Sequence, residues 1–225
     1  MNGILNTYGR CIVIADFDGT ITKQDSNVEL LKVFGVPQND VIEELFIAGK
    51  MGTREAMQKH FDLMHFTEDQ YIDFIFNNIQ IDPGFKTFHQ KLSEAGIPLV
   101  VLSGGYANAI NAVFNREGLT YNKVLANTLV FQGKDIKIEF YHDKVTCLKS
   151  FGPCGNCKAT HITNYKQCYD SIIFIGDGLT DRCAADKADH VFAKDKLAYY
   201  CKQNGISYTP YVDFNDVTRL LLQRG

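Results

Sequence analysis

Two aspartates separated by one residue, Asp16 and Asp18, directly follow the apolar run Cys11-Ile12-Val13-Ile14-Ala15. Carboxylates this close repel each other unless a cation lies between them or one keeps its proton. Three further polar groups stand in comparable places. Ser103-Gly104-Gly105 follows Leu99-Val100-Val101-Leu102, and Gly176-Asp177-Gly178-Leu179-Thr180-Asp181 follows Ser171-Ile172-Ile173-Phe174-Ile175. Lys158 follows Cys154-Gly155-Asn156-Cys157 at the start of a helical stretch. Asp16 and Asp177, with a backbone carbonyl such as that of Asp18, are hard oxygen ligands suited to Mg²⁺. Of the paired carboxylates, one can attack phosphorus while the other protonates the leaving alkoxide and later deprotonates a water. Ser103 and the amides of Gly104 and Gly105 offer donors to phosphate oxygens, and Lys158 offsets charge on the group in transit. Together these are the parts of a phosphoryl-transfer site.

Positioning them falls to the apolar runs. Short, β-branched and uninterrupted, residues 11–15, 99–102 and 171–175 read as buried parallel strands covered on both faces. The carboxyl ends of such strands share one edge, so residues far apart in the chain converge there. Between the first two strands the pattern changes. Val28, Leu30, Leu31, Val33 and Phe34, then Val41, Ile42, Leu45 and Phe46, then Met57, Phe61, Leu63 and Met64, then Tyr71, Phe74, Ile75 and Ile79 recur at spacings near three and four. Breaks at 35–37, 49–52 and 66–68 divide them into four short helices, with Thr53 and Thr67 as N-caps of the third and fourth. Helices over 85–95 and 106–117 and a β-hairpin over 124–131 and 136–141 follow. Residues 142–157 hold no period and read as a loop. Helices over 158–165, 181–188, 196–204 and 214–223, with strands over 190–193 and near 208, complete the alternation. The expectation is an α/β fold: a doubly wound parallel sheet with an inserted all-helical cap and a β-hairpin. The core takes residues 1–24 and 82–225, and the cap takes 25–81.

Composition narrows the partners. The chain of 225 residues is 45% hydrophobic and 22% charged, as in a water-soluble globular protein. A net charge of −3 gives no reason to expect nucleic acid or an anionic membrane. No apolar run approaches the roughly 18 to 20 residues of a membrane span, and residues 1–10 do not read as a signal peptide. Seven scattered cysteines suit a reducing cytoplasm.

In order and over the whole length, these motifs resemble the haloacid dehalogenase superfamily of phosphatases. The resemblance implies Asp16 as nucleophile and Asp18 as general acid/base, with Ser103, Gly104 and Lys158 on the phosphate. It also implies Mg²⁺ held by Asp16, Asp18 and Asp177, with Asp181 as a ligand or a support. Asp18 speaks against the dehalogenase branch, which lacks that second acid. The insertion after the first strand resembles the cap of the phosphoserine phosphatase-like subgroup, whose members carry an acid nine positions after the nucleophile, here Asp25. A gap-free alignment through Gly49-Lys50 puts Gln58 where those enzymes hold the substrate carboxylate with arginine, and Arg54 one helical turn earlier. Within the superfamily, Ser103-Gly104-Gly105, the cysteine-flanked Lys158, residues 192–195 and residues 208–214 resemble the methionine-salvage branch more closely. Its substrate has no carboxylate, which fits the missing clamp. Met51, Met57, Phe61 and Met64 would then offer an apolar, adaptable pocket to a methylthio group. Phosphoserine, phosphoethanolamine and phosphocholine stand as alternative substrates.

Other readings are open at this stage. Cys154 and Cys157 have the spacing of half a zinc site or a disulfide, with His142, Cys147, His161 and Cys168 as further donors. A phosphomutase would use the same motifs while protecting its phospho-aspartate from water. A non-catalytic module would bind phosphate compounds without needing Asp18. The partner expected is a small phosphate monoester, and the chain is expected as monomer or homodimer.

Overall fold

In the computed structural model, residues 9–142, 145 and 152–222 are described. The core strand β1 (Cys11–Ala15) leads into four helices, α1 (Ser26–Phe34), α2 (Pro37–Ile47), α3 (Thr53–Leu63) and α4 (Glu68–Asn78). Then come α5 (Phe85–Glu94), β2 (Leu99–Tyr106), α6 (Ala107–Glu117), β3 (Lys123–Gln132) and β4 (Asp135–Glu139). The last part runs α7 (Lys158–Tyr165), β5 (Ser171–Gly176), α8 (Arg182–Ala185), β6 (His190–Ala193), α9 (Asp195–Gln203), β7 (Thr209–Pro210) and α10 (Phe214–Leu222). The strands form one sheet in the order β4-β3-β2-β1-β5-β6-β7. All neighbours are parallel except β3 and β4, which pair as the expected hairpin.

Because side chains alternate along a strand, β1 and β5 divide between two apolar layers. Val13, Ala15, Ile173 and Ile175 pack on one face with α5, α6 and α10. Ile12, Ile14, Ile172 and Phe174 pack on the other with α7, α8 and α9. Both strands are buried along their whole length, which explains why their sequences are continuous rather than alternating.

The helical insertion does not have a core to itself. Leu30, Phe61, Met64, Phe66, Tyr71 and Phe74 belong to the same apolar layer as β1 and β2, while Ile42, Met51 and Ala56 make a small separate cluster. The chain enters and leaves the insertion through paired segments. Thr22 and Ile81 form an antiparallel bridge. Around it the Lys23 amide donates to Gln80 O at 2.9 Å and the Asp82 amide to Ile21 O at 2.9 Å. Asp25 caps α1 by accepting from the amides of Asn27 and Val28 at 2.9 and 3.1 Å. Thr67 and Gln70 close a capping box on α4.

Some expectations need correction. Gly52, not Thr53, is the N-cap of α3. The β2 strand continues through Ser103-Gly104-Gly105 to Tyr106 instead of ending at Leu102, with a register shift against β3. The helix expected over 181–188 is a 3₁₀ turn, Leu179–Asp181, followed by the short α8, and the last strand starts at Thr209. Of the loop expected over 142–157, residues 143–144 and 146–151 lie outside the described residues. Among the described residues, no helix is long and apolar enough to cross a membrane.

Candidate active site

The carboxyl ends of β1, β2 and β5 meet at one edge of the sheet, joined there by the first residue of α7. Asp16 continues β1, its amide donating to Ile175 O at 2.9 Å, and it is buried. Lys158, 3% exposed, reaches across and donates from Nζ to Asp16 Oδ1 and to Asp181 Oδ1, both at 2.6 Å. Asp181 Oδ2 accepts from the amides of Asp177 and Gly178 at 3.1 and 3.0 Å, so this buried carboxylate is held from two sides. Thr20 Oγ1 donates to Asp177 Oδ1 at 2.6 Å.

Asp16, Asp177 and Asp181 each present a carboxylate oxygen within 4.8 Å of the others. Burial raises the Asp16 carboxyl well above its usual range, and Asp181 and Asp177 add to this against the pull of Lys158. Burial likewise lifts Asp177 to about 6, opposed by Thr20 and reinforced by Asp181. For Lys158, burial alone disfavours the ammonium, but Asp16 and Asp181 outweigh it and raise the group above its ordinary value. Three carboxylates facing one ammonium leave surplus negative charge in a water-poor site. Hard oxygens at this spacing fit a small divalent cation, which would remove that surplus.

Asp18 stands apart from this cluster because the chain turns after β1. Residues Phe17–Ile21 wind into a wide turn in which Gly19 takes φ +73°, and a Cβ at Gly19 would lie 2.6 Å from Asp177 Oδ2. Glycine is therefore required there both for the backbone conformation and for the close approach. The turn delivers Asp18 to the amide of Ser26, which donates to Oδ1 at 2.8 Å. Burial, followed by the nearby Asp25 carboxylate, raises Asp18 to about 7.

Opposite Asp18 lies the end of β2. Ser103 Oγ accepts from the Gly105 amide at 2.8 Å, and a Cβ at Gly105 would fall 2.7 Å from Asp18 Oδ2. A Cβ at Gly104 would meet open space. Two buried asparagines fix this segment. Asn127 Nδ2 donates to Gly104 O at 2.8 Å, and its Oδ1 accepts from the Tyr141 amide at 3.1 Å. Asn156 Nδ2 donates to Ser103 O and Leu125 O, both at 2.8 Å, while its Oδ1 pairs with His161 Nε2 at 2.7 Å. Asn156 thereby ties the start of the Lys158 helix to the Ser103 segment. Sequence reading assigned no role to either asparagine. The available signal was a polar residue at an inward position, as in the run Leu125-Ala126-Asn127-Thr128-Leu129.

Asp16, Asp18, Ser103, Gly104, Lys158, Asp177 and Asp181 are thus gathered at one edge. The cap candidates are placed differently. Asp25 is exposed and caps α1 beside Asp18. Gln58 engages its amide with the edge strand, Nε2 donating to Ile136 O at 3.1 Å and Oε1 accepting from the Ile138 amide at 3.0 Å. Arg54 lies over the Phe140 ring, 4.4 Å from its centroid. These two residues dock α3 on the hairpin. Met57 is half-buried against the main core, and Met51 lies in the separate cap cluster. Cys157 is a free thiol, so no disulfide joins it to Cys154, and its amide donates to His142 Nδ1 at 3.0 Å. Among the described residues, the three aspartates are the one set of three donors close enough to hold an ion. Cys147 lies outside them.

Comparison with known proteins agrees with this architecture. A sequence model described as haloacid dehalogenase-like hydrolase matches residues 13–186. The 2-hydroxy-3-keto-5-methylthiopentenyl-1-phosphate phosphatase of Exiguobacterium sibiricum is 34% identical over 208 residues, covering 91% of this chain and 93% of that protein. The protein of the same name from Bacillus mycoides is 31% identical over 207 residues, again covering 91% and 93%. Among solved structures, a phospho-aspartyl intermediate analogue of phosphoserine phosphatase superposes with a TM-score of 0.70 at 18% identity, covering 95% of this chain and 99% of that one. A haloacid dehalogenase family hydrolase of Salmonella enterica serovar Typhi gives 0.73 at 16% identity, covering 98% and 74%.

Proposed function

Since the chain belongs to the haloacid dehalogenase-like hydrolase family, we propose that it hydrolyses a small phosphate monoester through a phospho-aspartate on Asp16. The substrate we favour is the one named for its relatives, 2-hydroxy-3-keto-5-methylthiopentenyl-1-phosphate. The observation that carries the reading is the unequal setting of two neighbouring carboxylates. Both carboxyls are raised by burial, but Asp16 is bonded to the Lys158 ammonium within the Asp177–Asp181 cluster, whereas Asp18 is turned out of that cluster and accepts from the Ser26 amide. A pair of acids set apart in this way divides into nucleophile and proton carrier.

Asp16 Oδ attacks phosphorus, and the bond from phosphorus to the substrate oxygen breaks. Asp18 delivers its proton to that departing oxygen. It then takes a proton from a water that attacks the phospho-aspartate, releasing inorganic phosphate and restoring Asp16. Ser103, the Gly104 amide and Lys158 hold the phosphate oxygens while charge shifts among them. Asp16 and Asp177 would hold Mg²⁺ together with the Asp18 segment, and the ion supplies charge neutralisation for nucleophile and phosphate. Asp181 already accepts from Lys158 and two amides, so we assign it to orienting Lys158 and Asp177.

Residues 25–81 act as the cap over this edge, entered through the Thr22–Ile81 bridge and docked by Gln58. With the Gln58 amide on β4, a carboxylate-bearing substrate has no clamp at that position, which favours the enol phosphate over phosphoserine. Buried free thiols at Cys11, Cys157 and Cys201 suit a reducing cytoplasm. The test is phosphate release with Mg²⁺ from the enol phosphate, phosphoserine, phosphoethanolamine and phosphocholine, with Asp16→Asn as blank. The enol phosphate should give the highest kcat/KM. Wild-type turnover by Asp16→Asn would refute the mechanism, and preference for phosphoserine would refute the substrate.

A further inference from the structure

Beside Asp18 the structure gathers hydroxyl groups that it does not pair. Ser26, 2% exposed, gives its amide to Asp18, yet its Oγ has no hydrogen-bond partner. Tyr71 of α4 and Tyr106 at the end of β2 are 1% and 2% exposed. Among the described residues, neither phenol makes a hydrogen bond. Buried polar groups are ordinarily paired, so the orphaned Ser26 Oγ next to the Asp18 carboxylate needs a reason, and the two phenols that make no hydrogen bond bear on it.

Their placement supplies one. Tyr106 follows Gly105, whose missing Cβ leaves room for Asp18 Oδ2, and its ring meets Phe61 edge-on at 5.2 Å. The Tyr71 ring stacks on Phe66 at 6.0 Å and lies 5.9 Å from Phe131. Burial, then Asp18, pushes the Tyr71 phenol above its usual range, and burial, then Tyr71, Asp18 and Asp25, does the same for Tyr106. Both phenols therefore remain protonated and able to donate. The hydroxyls come from the insertion entrance, a cap helix and a core strand, and behind them lies a wall of aromatic rings.

We propose that Ser26, Tyr71 and Tyr106 form the leaving-group pocket, selecting a neutral, oxygen-bearing carbon chain whose hydroxyl or keto oxygens pair with these three hydroxyls. This rests on the phosphatase reading, in which Asp18 protonates the oxygen that departs, so the carbon chain attached to that oxygen must lie next to Asp18. Phe61, Phe66 and Phe131 take the apolar end of the chain. A carboxylate in this place would be repelled by Asp25, and by Asp18 once that group has given up its proton. A quaternary ammonium such as that of phosphocholine would suit the rings and acids but, having no N–H, would leave the hydroxyls unpaired.

Steady-state kinetics of wild type, Tyr71→Phe, Tyr106→Phe and Ser26→Ala test this on three esters. These are 2-hydroxy-3-keto-5-methylthiopentenyl-1-phosphate, phosphocholine and p-nitrophenyl phosphate, whose leaving group carries no oxygen near the ester bond. Each Tyr→Phe change should lower kcat/KM for the enol phosphate about three- to tenfold more than for p-nitrophenyl phosphate, mainly through KM. Because the deleted hydroxyls are unpaired, the melting temperatures should not fall, whereas a structural hydroxyl would cost stability. The exposed Tyr199→Phe serves as control. Equal losses on both esters, or a lowered melting temperature without a changed ratio, would overturn the proposal. So would wild-type preference for phosphocholine, or cleavage of p-nitrophenyl phosphate without the enol phosphate; in those cases the phosphatase reading survives. Failure to cleave any of the three would overturn both.

Discussion

Asp18→Asn should abolish efficient turnover and at the same time stabilise the protein at alkaline pH. The Asp18 carboxyl moves from its ordinary 3.8 to about 7 on folding, chiefly through burial and then through Asp25. A raised acid binds more protons in the folded than in the unfolded state, so its contribution to stability falls as pH climbs between those two values. The full effect is reached above pH 7. With each unit equal to about 1.4 kcal/mol, the ionised group there costs on the order of 4 kcal/mol, and somewhat over a third of that at pH 5. Asparagine keeps an oxygen for the Ser26 amide and removes the charge. Urea unfolding of wild type and variant in chelator at pH 5 and pH 8 checks this. The advantage of Asp18→Asn should grow by about 2–3 kcal/mol between the two pH values. Comparing variant with wild type cancels the histidines, among them His161, lowered to about 4 by burial and then by His142 and the nearby lysines. An advantage that is absent, independent of pH or larger at pH 5 would refute the assignment of a protonated, desolvated Asp18.

Catalysis should show the same group: kcat/KM falls as pH rises through the Asp18 titration, because the departing oxygen then lacks its proton donor, and a pH–rate profile locates that limb. Gly105→Ala places a methyl 2.7 Å from Asp18 Oδ2, so kcat should fall at least about tenfold while the urea midpoint changes far less. Asn156→Leu strips partners from Ser103 O, Leu125 O and His161 Nε2. It should cost about 2–4 kcal/mol in unfolding free energy and raise the inhibition constant for inorganic phosphate. Lys158→Met leaves Asp16 and Asp181 without their shared cation, and in chelator should destabilise the protein by about 3–5 kcal/mol. Added Mg²⁺ should restore part of that loss, as a thermal melt would show.

The strand ends were legible because β1 and β5 are buried on both faces, which demands unbroken apolar runs, so the polar residue after each run stands out. That logic locates Asp16, Asp177 and Asp181 without any structure. It falls short at β2, where the apolar run stops at Leu102 but the strand continues through Gly104 and Gly105 with a shifted register. It also fails at Gln58 and Arg54. Spacing put them on α3, but only tertiary packing shows that their far ends meet β4 and Phe140. Tyr71 and Tyr106 were hidden for another reason. A periodic pattern counts an aromatic ring as core and carries no information about where its hydroxyl ends.

The bridge between Thr22 and Ile81 has a consequence for how the chain can be rebuilt. Entrance and exit of the insertion stand side by side, so residues between them can be exchanged as a cassette by splicing at two adjacent points, leaving the sheet unthreaded. The graft is nevertheless demanding. Phe66, Tyr71 and Phe74 are part of the wall that covers the sheet, and any replacement must supply an equivalent apolar face or leave that face of the sheet open to water. Transplanting a foreign lid onto this body is therefore a problem of surface matching more than of chain connection.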